Sequence, residues 1–183
     1  KKVFFSQDQK GNKKIKINKK EISRRKDLLG LNNVVVFSPE EESITKNGPS
    51  NRRRFFNKVF SIVSKNYLEE LLSYNSTLQQ RNAVLKFGPN KNIKKEIKIW
   101  NEPFAEKAES FWKKRRKLIA EFSKIFKETV KNLEIGIECD ICYSPKKTRK
   151  EEVISFIEKT LEAEKALGFT THGPHRDDFV FKW

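Results

Sequence analysis

The chain has 183 residues, enough for one domain of ordinary size or a core with an appended subdomain, and with 36% apolar and 11% aromatic residues it can bury a core. Its longest apolar run, Val34–Phe37, falls far short of the roughly 20 residues a membrane-spanning helix needs, and two cysteines exclude a disulfide scaffold while fitting a reducing cytosol. Forty Lys and Arg against 24 Asp and Glu leave a net charge of +16, which points to a polyanionic partner. The excess is uneven: residues 1–30 carry 11 basic and 3 acidic side chains, residues 151–183 carry 4 and 7.

Residues 1–20 read as a β-hairpin, with Val3-Phe4-Phe5, a turn at Gln7–Asn12, and Ile15 and Ile17 alternating with lysine. Val34–Phe37 has the composition of a buried strand and stops at Ser38-Pro39. Ser50 is a candidate cap for a helix through Arg52-Arg53-Arg54 to about Ser64. A second helix spans about Lys65 to Lys86, with Leu68, Leu71, Leu72, Leu78 and Leu85 on one stripe, and ends at Gly88-Pro89-Asn90. A third runs from about Asn101 to Asn132, where Phe104, Ala108, Phe111, Arg115, Ile119, Phe122, Phe126 and Val130 recur every three or four residues. The last two helices predict an antiparallel arm. Strict alternation from Leu133 to Tyr143 predicts a strand of eleven residues, and Arg149–Leu167 a helix with Gly168 at its C-terminal cap. Phe179–Trp183 is strand-like, and since the chain both begins and stops in such sequence without a leader at Lys1-Lys2-Val3, it reads as an internal piece of a longer polypeptide.

Among residues that carry chemistry, Cys139 and Cys142 have the spacing of half a zinc site, but no second pair exists and a strand would turn them to opposite faces. Gly168 and Gly173 mimic a phosphate loop, yet Pro174-His175 stands where Lys and a hydroxyl would be required. His172, His175, Asp177 and Asp178 form the densest polar cluster, which suits either a metal site or a structural turn. Arg52-Arg53-Arg54 fan around a helix, so they suit salt bridges between subdomains or contacts to phosphates. Trp100 and Trp112 fit the arm core better than base-stacking platforms.

Three stretches together resemble the RecF family of DNA replication and repair proteins: Val34-Val35-Val36-Phe37-Ser38-Pro39-Glu40, Gly48-Pro49-Ser50-Asn51-Arg52-Arg53-Arg54-Phe55-Phe56, and Gly173-Pro174-His175-Arg176-Asp177-Asp178. Gln80-Arg81-Asn82, Leu85 and Trp100 add to the likeness, in the same order along nearly the whole chain. The resemblance implies an α+β fold, the β-rich subdomain of an ATPase head of the ABC and structural-maintenance-of-chromosomes type with an inserted antiparallel helical arm. It divides the chain into a β-subdomain at 1–49, the arm at 50–132, and a return strand, helix and edge of the second lobe at 133–183. It further implies DNA and RecR and RecO as partners, dimerisation on ATP, ATP with Mg as cofactor in a full-length protein, recombinase loading, and a cytoplasmic location. The Walker A, signature and Walker B motifs are absent from this sequence, so no complete nucleotide site or catalytic residue is expected in it. Ser38 and Glu40 correspond to a loop near the nucleotide, with Glu41-Glu42 departing from the family's pattern.

Three functional classes follow. The first is DNA binding through phosphate neutralisation by Lys13, Lys14, Lys16, Arg52, Arg53 and Arg54. The second is a metal-dependent hydrolase built on His172, His175, Asp177 and Asp178. The third is a non-enzymatic helical module that docks a partner through the arm.

Overall fold

Alternating lysine and isoleucine at Lys13–Ile17 can satisfy a pleated ribbon, and the chain uses it so. The computed structural model describes residues 2–22, 43–87 and 93–183; the strand expected at Val34–Phe37 and the stretch Ser38–Glu40 lie outside them. The chain divides into two units, residues 1–36 and 37–183.

In the first unit β1 (Val3–Gln7) pairs antiparallel with β2 (Lys13–Ile17), Phe5 facing Ile15 and Val3 facing Ile17. The turn closes on Asp8, whose carboxylate accepts from the backbone of Lys10 and Asn12 at 2.9 and 2.8 Å, while Gly11 takes φ 82°. A third strand, β3 (Lys20–Ile22), adds to β2 through a tight turn in which Asn18 and Lys19 both adopt positive φ. Pairing puts Lys14 and Lys16 on one face with Phe4, and Lys13 on the other with Ile15 and Ile17.

The second unit opens with α1 (Ser43–Lys46) and α2 (Pro49–Val63). The cap of α2 is Gly48, not Ser50: Pro49 at the first helical position has the right φ and no N–H to leave unbonded. Ser64, extended at φ −140°, ends α2, and its hydroxyl accepts from Tyr67 N–H at 3.2 Å to start α3 (Lys65–Phe87). The third long helix, α4 (Ile93–Asn132), starts eight residues before the expected Asn101. Ile93 and Ile97 extend its buried face a turn at a time toward Asn101 and Phe104. Pro103 sits within the helix on its exposed side, where water can bond the carbonyl its ring frees.

The helices α3 and α4 run antiparallel: Tyr67 meets Phe111 at 5.1 Å between ring centroids, Tyr74 meets Phe104 at 5.8 Å, and Arg81 bonds Asn101 at 3.1 Å. The later turns of α4 cover α2, with Phe122 edge-on to Phe56 at 5.4 Å. Phe56, Phe60, Tyr67, Tyr74, Phe104, Phe111 and Trp112 are at most 1% exposed. Each such side chain contributes about 1.5–3 kcal/mol of burial, so this aromatic seam dominates the unit's apolar stabilisation.

The eleven-residue strand expected at Leu133–Tyr143 is reduced to β4 (Asp140–Cys142), paired with β5 (Val180–Lys182). Glu134 and Gly136 take positive φ, and Leu133, Ile135 and Ile137 are 61%, 56% and 51% exposed. Alternation states which faces a segment can bury, but a ladder also needs a neighbour, and β5 supplies three residues. The helix expected at 149–167 is two, α5 (Lys150–Lys159) and α6 (Leu161–Leu167). Thr160 interrupts it by turning its hydroxyl back to the Phe156 carbonyl at 2.9 Å. Gly168, at φ 74°, closes α6.

A buried ion pair ties α6 to the arm. Arg81 and Glu164, both with side chains 0% exposed, meet at 2.6 Å. The rest of the Arg81 fork donates to Asn101 Oδ1 and Thr170 Oγ1, and the second Glu164 oxygen accepts from Thr171. Removing one partner of such a pair strands a buried charge. Glu164→Ala is therefore expected to lower unfolding free energy by about 3–5 kcal/mol, read by urea denaturation of the full chain; a loss within that of a surface substitution would contradict the pairing.

Candidate functional site: the loop that clasps the arm

The Gly173–Asp178 loop lies between α6 and β5, and its polar groups face arginines from α2 and α4. Arg115 of α4 is 1% exposed although it is a cation on an apolar stripe. Its fork is filled: Nε donates to Tyr67 Oη at 3.3 Å, one terminal nitrogen to the Pro174 carbonyl at 2.8 Å and Asp177 Oδ2 at 3.3 Å, the other to Asn57 Oδ1 at 3.2 Å. Asp177 Oδ2 also accepts from Trp112 Nε1 at 2.7 Å and from the Tyr143 hydroxyl. Rings close the remaining sides, with Arg115 4.4 Å from the Phe111 centroid and 5.6 Å from that of Phe179.

From α2, Arg52 grips Asp178 with two bonds, 2.7 and 2.8 Å, which hold that carboxylate below its usual pKa, and Arg53 donates to the Asp177 carbonyl at 2.6 Å. Arg54 is exposed. Of the six arginines and lysines expected to face phosphates, Lys13, Lys14 and Lys16 thus belong to the hairpin unit, and Arg52 and Arg53 are engaged with the loop. Ser38 and Glu40 lie outside the described residues.

His175 accepts from the Tyr74 hydroxyl at Nδ1 and donates from Nε2 to the Thr170 carbonyl at 2.9 Å, which fixes the neutral tautomer. Burial pushes its pKa down to about 4, and the nearby Arg176, Arg53 and His172 push the same way. Tyr74, buried with it, is shifted upward for the same reason. Gly173, at φ 144°, leaves no room for a side chain: a Cβ there would lie 2.7 Å from Tyr74 Oη and 3.0 Å from His175 Nδ1.

The same contacts do not support the metal reading of this cluster. His172 bonds the Lys147 carbonyl at 2.9 Å and lies 4.6 Å from the Phe156 ring, His175 turns to Tyr74, Asp177 to Arg115 and Asp178 to Arg52. The four side chains diverge, and among the described residues no group of three or more His, Cys, Asp or Glu is placed to hold a metal. Cys139 and Cys142 are free thiols. Trp112 is core, as expected, and Trp100 is half-buried.

The residues sequence reasoning did not assign here are Asn57, Tyr67, Arg115, Tyr143 and Glu164. Arg115 carried a legible signal, a cation on the apolar stripe of α4, which can be buried only if acceptors surround it. Glu164 carried none.

Fold and loop together define a class: an α+β piece with small antiparallel sheets and an antiparallel helical arm, the arm held by buried arginines. No protein-family model matches the chain. Among curated proteins, the DNA replication and repair protein RecF of Alkaliphilus oremlandii is 34% identical over 180 residues, 93% of this chain and 49% of that protein. RecF of Lachnoclostridium phytofermentans is 37% identical over 168 residues, and that of Clostridium perfringens 38% over 175. A solved structure described as the recombination mediator protein RecF-ATPrS in the RecFOR pathway superposes with a TM-score of 0.84 at 29% identity, covering 98% of this chain and 51% of that one. The corresponding RecF-ATP structure gives 0.82. The chain is therefore similar to RecF proteins over nearly its whole length, and it spans about half the length of the curated relatives it matches.

A histidine held neutral in the native state but free to protonate when unfolded makes stability pH-dependent. The unfolded chain binds the extra proton, so stability is full above the ordinary pKa of 6.5 and falls as pH drops toward about 4. The loss is expected to reach about 3 kcal/mol, measured by urea denaturation across this range, and His175→Gln should flatten the slope there. An unchanged slope in the variant would contradict the buried neutral imidazole.

Proposed function

We propose that this chain is the arm-bearing part of a RecF-type DNA replication and recombinational repair protein, which in full-length form binds ATP with Mg and engages single-stranded and gapped duplex DNA. The observation that carries the reading is the match in sequence and fold over nearly the whole chain. The solved relatives are RecF bound to ATP or to ATPrS, proteins of the RecFOR pathway. By that likeness RecR and RecO are the partners, ATP brings two heads together, and the assembly helps load recombinase in the cytoplasm. Among the described residues no helix is long and apolar enough to cross a membrane. The resemblance also carries Ser38 and Glu40 to the neighbourhood of the nucleotide.

The net charge of +16 supports DNA as the polyanion. Exposed Lys13, Lys14 and Lys16 and exposed Arg54 are free to meet phosphates, whereas Arg52 and Arg53 first serve the loop. Phosphate contacts release counterions and carry little sequence information. Binding of a gapped duplex should therefore weaken linearly in log–log form with salt, and Lys13→Glu, Lys14→Glu and Lys16→Glu together should reduce both affinity and slope across unrelated sequences. Fluorescence anisotropy at several salt concentrations reads both; affinity independent of salt would contradict the electrostatic mechanism.

A further inference from the structure

Between the start of α2, the middle of α3 and the Gly173–Asp178 loop lies a cleft of about 320 Å³, lined among others by Ser50, Arg53, Arg54, Asn57, Tyr74 and Asn75. Its charge is unbalanced. The carboxylate of Asp178 is taken by Arg52, and that of Asp177 by Arg115, Trp112 and Tyr143. Arg53 is half-buried, yet its one bond goes to a neutral carbonyl, and among the described residues no carboxylate lies within ion-pair distance of it. Burial and the proximity of Arg115 and Arg176 disfavour its charge, and Asp177 and Asp178, both engaged elsewhere, offset only part of that. Arg54 stands beside it at the cleft without an acidic partner among the described residues. A half-buried cation with no carboxylate in direct contact is costly, and an anion from outside would offset that cost.

The donors fit one chemistry. A guanidinium fork with free N–H groups matches two oxygens of a tetrahedral oxyanion, and the Ser50 hydroxyl and the Asn57 and Asn75 amides line the same space. The volume is at the lower end of small-ligand pockets, about 300–1,000 Å³, so it suits a phosphate group with little attached. The floor, formed by Leu71, Tyr74 and Phe111, belongs to the packed arm and is set before any ligand arrives.

We propose that this cleft is an oxyanion site that takes a single phosphate group, gripped by Arg53 and closed by Arg54. The site is localised and saturable, unlike the diffuse lysine charge of the hairpin, and only its backbone-phosphate version rests on the DNA reading. The phosphate comes either from a small phosphate monoester or from a nucleic-acid backbone.

The test is calorimetric titration of the full chain with inorganic phosphate, against sodium chloride at matched ionic strength, alongside thermal unfolding, where binding to the native state raises the midpoint. The expected result is one saturable site, weakened about tenfold or more in Arg54→Gln and in Arg53→Gln. Arg54 is exposed, so its variant keeps the test valid if the Arg53 variant unfolds. Displacement of phosphate by AMP assigns a monoester, and displacement by a short duplex without terminal phosphates assigns the backbone. No saturable binding, or the same affinity in Arg54→Gln as in the parent chain, overturns the proposal. Salt-independent DNA binding would sink the DNA reading and leave this titration unaffected.

Discussion

A guanidinium removed from water must find acceptors for its N–H groups, and the second unit is arranged around that requirement at Arg115. One charge at the centre of α4 draws in Asn57 from α2, Tyr67 from α3, Tyr143 after β4, and Pro174 and Asp177 from the loop. Coulombic attraction alone would not justify burying the pair, since desolvation of both ions is of similar size. What the arrangement provides is specificity. Few placements of five segments satisfy every donor at once, and apolar packing would have tolerated many.

The second buried pair, Arg81 with Glu164, repeats the principle some turns away along the arm. Asn82 beside it accepts from both the backbone and the hydroxyl of Thr170, whose carbonyl in turn accepts from His175. The loop is thus held at both ends, by Thr170 through α3 and by Asp177 and Asp178 through α4 and α2. A displacement of the loop would have to break charge-assisted bonds to three helices, so loop and arm form one mechanical body.

Much of this fold is legible in the sequence wherever the determinants are local. The first hairpin follows from period-two lysine and isoleucine and from Asp8 and Gly11 in its turn; the helices follow from their stripes and from Gly168. Departures occur where distant groups decide. The expected start at Asn101 misses the first two turns of α4, whose exposed Pro103 the helix tolerates. Leu133–Tyr143 alternates well enough for a long strand, but β5 offers partners to three residues of it. The loop cluster was legible as a cluster, and its chemistry was not, because the partners of Asp177 and Asp178 lie 62 and 126 residues away. Spacing within the loop could suggest a metal; only the arginines folded against it show that its carboxylates are already committed.

The account stands on the claim that Arg115 and Asp177 join loop and arm into one cooperative unit. Native-state hydrogen exchange on the parent chain and on Asp177→Asn tests it directly, since the amide removes the charge while keeping the shape. Protection should fall together in β5, in α4 around Arg115 and in α3 around Tyr67, as expected when a shared buried charge loses its counterion. Loss of protection confined to the residues next to position 177, with α3 and α4 unchanged, would contradict it.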